Sequence, residues 1–135
     1  MILCDAGPLI ALIDRGDKNH KSCVTALAQI SFPMLATWPC LVEAMYLLGQ
    51  YGGYTDQEKL WGLMDSAAMK VHHSSDEEQK RMRELMGKYR DLPMDIADAS
   101  LVVAAETLGI SRIFTTDSDF YIYLIDDKQP FEVIP

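Results

Sequence analysis

The sequence predicts an α/β fold, a three-layer sandwich in which a mainly parallel five-stranded sheet lies between layers of helices. The main observation behind it is that short apolar runs of strand length alternate with longer segments of helical pattern, as in βαβ units. No linker, internal repeat or low-complexity tract interrupts this alternation. We therefore expect residues 1–135 to form a single domain.

The predicted strands and helices follow one another along the whole chain. The strands are expected at residues 1–4, 34–37, 69–73, 112–116 and 131–134. The helices are expected at about residues 7–14, 19–31, 39–51, 56–67, 76–90 and 95–108. Two helix starts have capping-box spacing, Thr55 with Glu58 and Ser75 with Glu78. Glycines at positions 52, 53 and 109 suit helix ends.

The composition indicates a folded protein with reduced thiols. Hydrophobic residues make up 49% of the chain, enough for a core, and the three cysteines are Cys4, Cys23 and Cys40. The apolar N-terminus lacks a basic region and is interrupted by Asp5, which argues against a signal peptide. No uncharged apolar run approaches the ~20 residues of a membrane span. We expect a soluble, cytoplasmic protein without contact with a membrane.

The net charge of −8 has two interpretations. It argues against a general nucleic-acid binder, because such proteins usually have a basic surface. It is also compatible with several acids gathered around a divalent cation. The distribution of the acids decides between these interpretations better than their number.

Four acids are placed where an α/β fold binds its ligands, outside the carboxyl ends of the strands. Asp5 and Asp117 follow predicted strands, whereas Glu43 and Asp98 lie about one turn into predicted helices. Glu43 is the only charged residue from position 22 to position 55, so its helix is expected to be buried nearly all round. Asp98 precedes an equally apolar stretch. An unpaired charge in such surroundings is costly, which suggests a function.

Each acid also has a structural explanation of its own. Asp5 could be a helix cap, Asp117 could initiate a turn, and Glu43 could pair with an arginine from elsewhere in the fold. The dipole of its helix could stabilise Asp98, and Asp95 is expected to cap that helix rather than to act directly in catalysis. All of these explanations together are less plausible than one shared site.

Clustered carboxylates cannot all stay ionised without a countercharge. No lysine or arginine adjoins the four acids in sequence, so we expect a hard cation, Mg²⁺ or Mn²⁺, which prefers oxygen ligands. His72 and His73 are neighbours on a predicted strand and face opposite sides, so they are not expected to share an ion. Carboxylate-bound cations in an open cleft suggest phosphate chemistry.

Four segments of the sequence resemble the PIN-domain family, above all the VapC-type toxin ribonucleases of prokaryotic toxin–antitoxin pairs. They are ILCDAGPLIAL, TWPCLVEAMYLLG, MDIADASLVVAAETLG and IFTTDSDF, and together they run over essentially the whole chain. The resemblance implies a PIN-like fold and metal-dependent endonucleolytic cleavage of RNA. It also implies a homodimer and a cognate antitoxin that covers the site, often with an arginine among the carboxylates.

By the same resemblance, the acidic quartet of the family falls on Asp5, Glu43, Asp98 and Asp117. The three aspartates would hold one or two Mg²⁺ or Mn²⁺ ions. Glu43 would either complete the ion shell or hold a water molecule. All four residues are therefore expected to be catalytic.

The resemblance assigns auxiliary roles to two residues and leaves one contact open. Thr115 matches a hydroxyl residue that helps to orient the site, and Asp119 could be an additional or water-mediated ligand. A serine or threonine often stands two residues after the first acid, but this chain has Gly7 there. The contact of that hydroxyl must be absent or supplied elsewhere.

An RNA substrate would still require positive surface on this acidic protein. The helix expected at 76–90 and the loop after the first helix each carry a group of basic residues. As possible RNA contacts we consider Arg15, Lys18, Lys21, Lys80, Arg81, Arg83, Lys88 and Arg90. A solvated helix face is the alternative for those of the helix.

The alternative function is a catalytically inactive PIN-like module that binds RNA or acts as an adaptor. The presence of all four acids argues against it, because a decayed site usually lacks a ligand. A phosphoacceptor receiver domain would need paired acids after the first strand. A haloacid-type phosphatase would need D-x-D there, where the sequence has D-A-G.

Overall fold

The computed structural model, which describes residues 1–135, confirms the predicted α/β fold. Five parallel strands form the central sheet, in the spatial order β3-β2-β1-β4-β7. In chain order the strands of the molecule are β1 (Ile2–Cys4), β2 (Met34–Thr37), β3 (Met69–His72), β4 (Arg112–Phe114), β5 (Leu124–Ile125), β6 (Gln129–Pro130) and β7 (Glu132–Ile134). β5 and β6 pair as a separate antiparallel hairpin.

Five α-helices flank the sheet. They are α1 (Ala6–Ile13), α2 (His20–Ala26), α3 (Trp38–Asp65), α4 (Asp76–Lys88) and α5 (Ile96–Leu108), with 3₁₀ turns at Leu27–Gln29 and Ser118–Tyr121. The chain passes from β1 outward to β2 and β3, then returns to β4 on the other side of β1. Because such crossovers are right-handed, the helices of the two halves cover opposite faces of the sheet. Helix α1 packs with α2 and α3, α4 packs with α5, and α3 also contacts α5.

The buried hydrophobic residues form one cluster of 37 side chains between the sheet and the helices. The central strands lie wholly within this core. Every residue of β1 and β2 is buried, as expected for a parallel sheet covered on both faces. None of the helices combines the length and the apolar character needed to cross a membrane.

The two helices predicted at residues 39–51 and 56–67 are both present, as two segments of α3 that meet at a break at Gly53. Gly53 leaves helical geometry, with φ 67° and ψ −160°, but α3 resumes directly after it. A positive φ is accessible to glycine at little cost, so the break falls where a glycine was expected to end a helix. The predicted capping box of Thr55 and Glu58 is wrong, because Thr55 lies inside α3 and Glu58 accepts a hydrogen bond from Tyr54 instead.

The first turns of α3 are less buried than the sequence predicts. Trp38, Val42 and Tyr46 recur every four residues on one face of the helix, and all three are exposed, Val42 to 63% and Tyr46 to 64%. The expectation of a helix buried nearly all round is therefore wrong. The lack of charge around Glu43 reflects an apolar surface beside a core-facing stripe.

Other helix ends follow the prediction. Ser75 accepts a hydrogen bond from the Glu78 amide at 3.1 Å, and the Glu78 carboxylate reaches back to the Ser75 amide, which completes the capping box of α4. Gly109 ends α5 in the left-handed conformation, with φ 69°.

Candidate functional site

The crevice between β1 and β4 lies where the order of strands reverses, at the carboxyl edge of the sheet. This is the place where open α/β sheets bind their ligands. Asp5 follows β1 directly, and Thr115 and Asp117 follow β4. The sheet topology alone therefore brings residues separated by more than a hundred positions to one edge.

Helix α5 carries Asp98 to the same crevice. A buried hydrogen bond of 2.6 Å joins the hydroxyls of Thr37, at the end of β2, and Ser100, in the second turn of α5. This contact fixes the beginning of α5 against the carboxyl end of the sheet. Asp98, two residues before Ser100, is consequently held there with only 6% of its surface exposed.

Three carboxylates converge at this point. One oxygen each of Asp5, Asp98 and Asp117 lies within 4.8 Å of the other two. Asp5 and Asp98 are buried and Asp117 is half-buried. None of the three forms an ion pair with a lysine, arginine or histidine. The crevice therefore concentrates negative charge that the chain itself does not neutralise.

Asp5 caps a helix and also belongs to the cluster. Its Oδ1 accepts a hydrogen bond of 2.7 Å from the Ala6 amide, at the start of α1, and its Oδ2 accepts one of 2.8 Å from the Thr115 hydroxyl. Burial raises the pKa of Asp5, while these two hydrogen bonds lower it and the charge of Asp117 raises it again. Asp5 is therefore both the helix cap that its structural explanation predicts and a member of the shared acidic cluster.

Thr115 links two of the acids. Besides donating to Asp5, its Oγ1 accepts a hydrogen bond of 3.0 Å from the backbone amide of Asp117. The buried hydroxyl therefore orients the Asp5 carboxylate and the chain that carries Asp117 at the same time.

Asp98 has a hydrogen-bond partner that sequence reasoning missed. The phenol of Tyr123 donates to Asp98 Oδ2 at 2.7 Å, and Tyr123 is fully buried. Burial raises the pKa of Asp98 to about 8; the Tyr123 hydrogen bond opposes this rise, and the charges of Asp95, Asp5 and Asp117 add to it. In the sequence, Tyr123 appears only as a hydroxyl-bearing residue within the otherwise apolar segment FYIYL, which does not predict a contact with Asp98.

Glu43 and Asp95 line the same cleft, which has a volume of about 200 Å³, but they lie outside the three-acid cluster. Burial and the charges of Asp95, Asp5 and Asp117 raise the pKa of Glu43. Asp95 caps α5 as predicted, with Oδ1 accepting from the Asp98 amide at 2.8 Å. Its position on the cleft wall gives the site a fifth acid that sequence reasoning had assigned to the helix start alone.

Asp119 lies beside the site rather than in it. It is absent from the cluster and from the cleft wall, and its backbone amide donates to Asp117 Oδ1 at 2.9 Å. Partial burial and the charge of Asp117 raise the pKa of Asp119. Its observed contact orients Asp117.

The hydroxyl of Thr116 occupies the space beside Gly7. A Cβ atom at position 7 would lie 2.5 Å from Thr116 Oγ1, which is too close for a normal contact. Both residues line the acidic cleft. The sequence left open how the hydroxyl missing at position 7 is replaced, and the structure places that of Thr116 next to the same point.

The side chains present fit a hard divalent cation. Every donor of the three-acid cluster is a carboxylate oxygen, the ligand type that Mg²⁺ and Mn²⁺ prefer. The two histidines of β3 and the loop after it have other partners: His72 Nε2 lies 2.7 Å from Glu78 Oε2, and His73 accepts a hydrogen bond from Trp38 at 2.8 Å. A zinc-type site is not formed by these residues.

Among the basic residues considered for RNA contacts, Arg81 is engaged within the fold. Its guanidinium donates to both carboxylate oxygens of Glu106, at 2.9 and 3.0 Å, and lies 3.2 Å from Asp127. These partners, Glu106 first, raise the pKa of Arg81. Lys88 lies 2.8 Å from the same Asp127. This cluster ties α4 to α5 and to the β5–β6 hairpin.

The remaining basic residues are more accessible. Lys80 forms an exposed ion pair with Glu77, and Arg90 donates to the Gly87 carbonyl. The other candidates form no ion pair and are exposed; they are Arg15, Lys18, Lys21 and Arg83.

The family model of the PIN domain matches residues 2–123. The chain belongs to the PIN-domain family, as the resemblance predicted. The comparison with curated proteins found no match.

Solved structures of VapC toxins and of toxin–antitoxin complexes have a similar fold. VapC20 of Mycobacterium tuberculosis, described as a Sarcin-Ricin loop cleaving toxin, has a TM-score of 0.86 at 18% identity, covering 96% of this chain and 100% of that one. A chain of a toxin–antitoxin complex from Klebsiella pneumoniae has a TM-score of 0.67 at 19% identity, with coverages of 89% and 90%. A chain of VapBC2 from Rickettsia felis, bound to a promoter DNA fragment, has a TM-score of 0.68 at 15% identity and covers both chains completely.

Proposed function

We propose that the protein is a divalent-metal-dependent endoribonuclease that hydrolyses RNA phosphodiester bonds. The observation that carries the proposal is the convergence of Asp5, Asp98 and Asp117 within 4.8 Å without a cationic side chain. Membership of the PIN-domain family supports the choice of a nuclease. The similarity in fold to VapC20, which is described as cleaving the Sarcin-Ricin loop, supports the choice of RNA.

In this proposal Asp5, Asp98 and Asp117 hold one or two Mg²⁺ or Mn²⁺ ions. A divalent ion in such a site supplies positive charge for the phosphate and makes water more acidic. The side chains around the ligands keep them in place: Thr115 holds Asp5 Oδ2, and Tyr123 holds Asp98 Oδ2. Preorganised ligands need no rearrangement when the substrate arrives.

Glu43 has a different role in this proposal. Its carboxylate lies on the cleft wall but outside the cluster of three ligands, and its pKa is raised by burial and by its acidic neighbours. A carboxylate with a raised pKa accepts a proton more readily than an ordinary carboxylate, which suits a general base. We therefore assign Glu43 to hold the attacking water and to accept its proton, rather than to complete the ion shell.

We further propose that the protein is the toxin of a toxin–antitoxin pair and forms a homodimer. The similarity in fold to VapC20 and to chains of two toxin–antitoxin complexes supports an antitoxin partner. The exposed apolar face of α3, with Val42 and Tyr46, supports a protein interface. An arginine from the antitoxin would supply the positive charge that the carboxylates lack. A cytoplasmic location remains a prediction.

The proposal is tested by a cleavage assay with purified protein and single-stranded or structured RNAs. Cleavage is expected with Mg²⁺ or Mn²⁺ and not with chelator. Asp98→Asn should lower the rate by more than the roughly 10- to 100-fold that loss of an outer-shell partner causes. Asp126→Asn, which removes an exposed carboxylate of the hairpin, is the matched control and should cleave normally.

Three results would contradict the proposal. Cleavage that persists in chelator would remove the metal requirement. Full activity of Asp98→Asn would remove the cluster from the mechanism. Metal-dependent RNA binding without cleavage would favour the alternative function, an inactive RNA-binding or adaptor module.

A further inference from the structure

The acidic cleft continues into two grooves on the side of α2. The first groove has a volume of about 240 Å³ and shares Thr116 and Asp117 with the cleft. The second has a volume of about 520 Å³, shares Ser22 with the first, and is lined by Lys18 and Lys21. Shared wall residues therefore make the cleft and the two grooves neighbours, and we call this row, from the three carboxylates to the two lysines, the path.

The first groove offers mainly uncharged polar groups. Its wall includes the hydroxyls of Thr116 and Ser118 and the side-chain amide of Asn19, whereas the Ser22 hydroxyl already donates to the Asn19 carbonyl at 3.0 Å. Such groups donate to phosphate and sugar oxygens, which make up most of the contacts of proteins with nucleic acids. The only charged side chain of the groove is Asp117, at its junction with the cleft.

Tyr121 stands on the rim of the same groove with 68% of its surface exposed. It forms no aromatic pair within the protein, unlike Tyr123 two residues later. Exposed rings of this kind serve as stacking platforms for unpaired bases. The ring stands on the rim of the groove that shares Asp117 with the cleft, beside the place where a scissile phosphate would lie.

Lys18 and Lys21 are exposed and form no ion pair, whereas Lys59, Lys80 and Lys88 are paired with carboxylates. On a chain with a net charge of −8, two free cations beside a strongly acidic cleft provide local attraction for an anionic ligand. Their charge complements a phosphate backbone that must approach the carboxylates.

We propose that this path binds single-stranded RNA on one side of the scissile phosphate, with phosphates at Lys18 and Lys21 and a base stacked on Tyr121. The inference rests on the proposed nuclease function and adds the direction in which the substrate leaves the cleft. It names single-stranded RNA because stacking on Tyr121 needs an unpaired base, which a regular duplex does not offer. Among the basic residues considered as RNA contacts, this proposal selects Lys18 and Lys21, because the basic residues of α4 lie outside both grooves.

The charge contacts are tested by binding a fluorescent single-stranded oligoribonucleotide of mixed sequence in chelator, so that binding is measured apart from cleavage. Lys18→Gln/Lys21→Gln should weaken binding and lower the slope of log affinity against log salt by about 1.4, at ~0.7 for each phosphate contact of a single strand. Lys59→Gln/Lys128→Gln makes the same change in charge outside both grooves and should leave the slope unchanged.

The stacking contact is tested with the same oligonucleotide. Tyr121→Ala should weaken binding about tenfold or more, as loss of one base–aromatic stack does. Tyr121→Phe retains the ring and should bind like the unmodified protein. Tyr51→Ala removes a ring that is 73% exposed on α3 and serves as the matched control. The same RNA annealed to its complement should bind without dependence on Tyr121.

The outcomes separate this inference from the proposed function. If the protein cleaves RNA but both sets of variants bind like their controls, the path is wrong and the nuclease stands. If binding depends on these residues and no RNA is cleaved, the path stands and the nuclease is wrong. Equal dependence on the two lysines for a polyglutamate peptide, with no effect of Tyr121→Ala on RNA, would assign the surface to an acidic protein partner and overturn the inference.

Discussion

The Tyr123 hydroxyl donates a hydrogen bond of 2.7 Å to Oδ2 of Asp98, and both side chains are buried. Burial favours the protonated form of Asp98 and raises its pKa to about 8, while the hydrogen bond favours the ionised form. Tyr123 thereby keeps the pKa of Asp98 close to neutral pH. A modest favourable interaction of the Asp98 carboxylate with a bound cation is then enough to remove the proton.

Replacement of Tyr123 by phenylalanine should weaken both folding and metal binding. The variant loses one buried hydrogen bond, which should lower the free energy of unfolding by about 1–2 kcal/mol in urea denaturation. The pKa of Asp98 should rise further, so Mn²⁺ should bind more weakly at pH 7 in calorimetric titration. Tyr46→Phe, at an exposed ring without a hydrogen bond, should change neither quantity. Unchanged Mn²⁺ affinity in Tyr123→Phe would mean that the phenol does not act on the metal site.

The stability of the metal-free protein should fall as the pH rises. Asp98 has an ordinary pKa of 3.8 when unfolded and about 8 when folded, so the folded state binds more protons between these values. Its contribution is fully present below the unfolded pKa and is lost as the pH rises through the folded one. Thermal unfolding in chelator should therefore occur at a lower temperature at pH 8 than at pH 6. Asp98→Asn should flatten this dependence, and an unaltered slope in that variant would refute the assignment.

Divalent metal should stabilise the folded protein, and more strongly at pH 8 than at pH 6, because a bound cation displaces the proton of Asp98. At a hundredfold excess of metal over its dissociation constant the gain should be about 2.7 kcal/mol. Asp117→Asn should lose most of this gain, since it removes one of the three converging ligands. Asp126→Asn is the control and should keep it. Stabilisation that is the same in Asp117→Asn and in the unmodified protein would place the metal elsewhere.

Loss of Arg81 should affect stability rather than RNA binding. Its bidentate pair with Glu106 is largely shielded from solvent, so Arg81→Gln should lower the free energy of unfolding by about 1–3 kcal/mol. Lys80→Gln removes an exposed pair and should change stability by less than about 1 kcal/mol. A double-mutant cycle with Glu106→Gln measures the pair directly. Weaker RNA binding by folded Arg81→Gln would restore Arg81 as an RNA contact.

The fold could be predicted because parallel strands buried on both faces leave continuous apolar runs, and all five strands of the sheet lie where such runs occur. The β5–β6 hairpin could not be predicted, since its strands have two residues each and show no periodicity. Its turn depends on positive φ angles at Asp126 and Asp127, which residue type alone does not reveal. The helix end expected at Gly52 and Gly53 is present as the break in α3, because glycine adopts a positive φ at little cost.

The three converging aspartates could be identified in the sequence because each borders an apolar segment at a strand end or helix start. The partners that hold them could not. Tyr123 lies 25 positions from Asp98, and no pattern in either segment predicts the contact between them. Asp95 has an evident role as a helix cap, which concealed its place on the cleft wall. The catalytic roles of the three aspartates and of Glu43 remain predictions.

Gly7 and Thr116 compete for one small volume at the mouth of the cleft. The close atom is the rotatable end of an exposed side chain, because Thr116 Oγ1 would lie 2.5 Å from a β-carbon at position 7 whereas Thr116 Cβ would lie at 3.8 Å. A β-carbon at position 7 therefore requires Thr116 to adopt another χ1 rotamer rather than to be replaced. A serine at position 7 should consequently turn the Thr116 hydroxyl away from the cleft and put its own in the same volume.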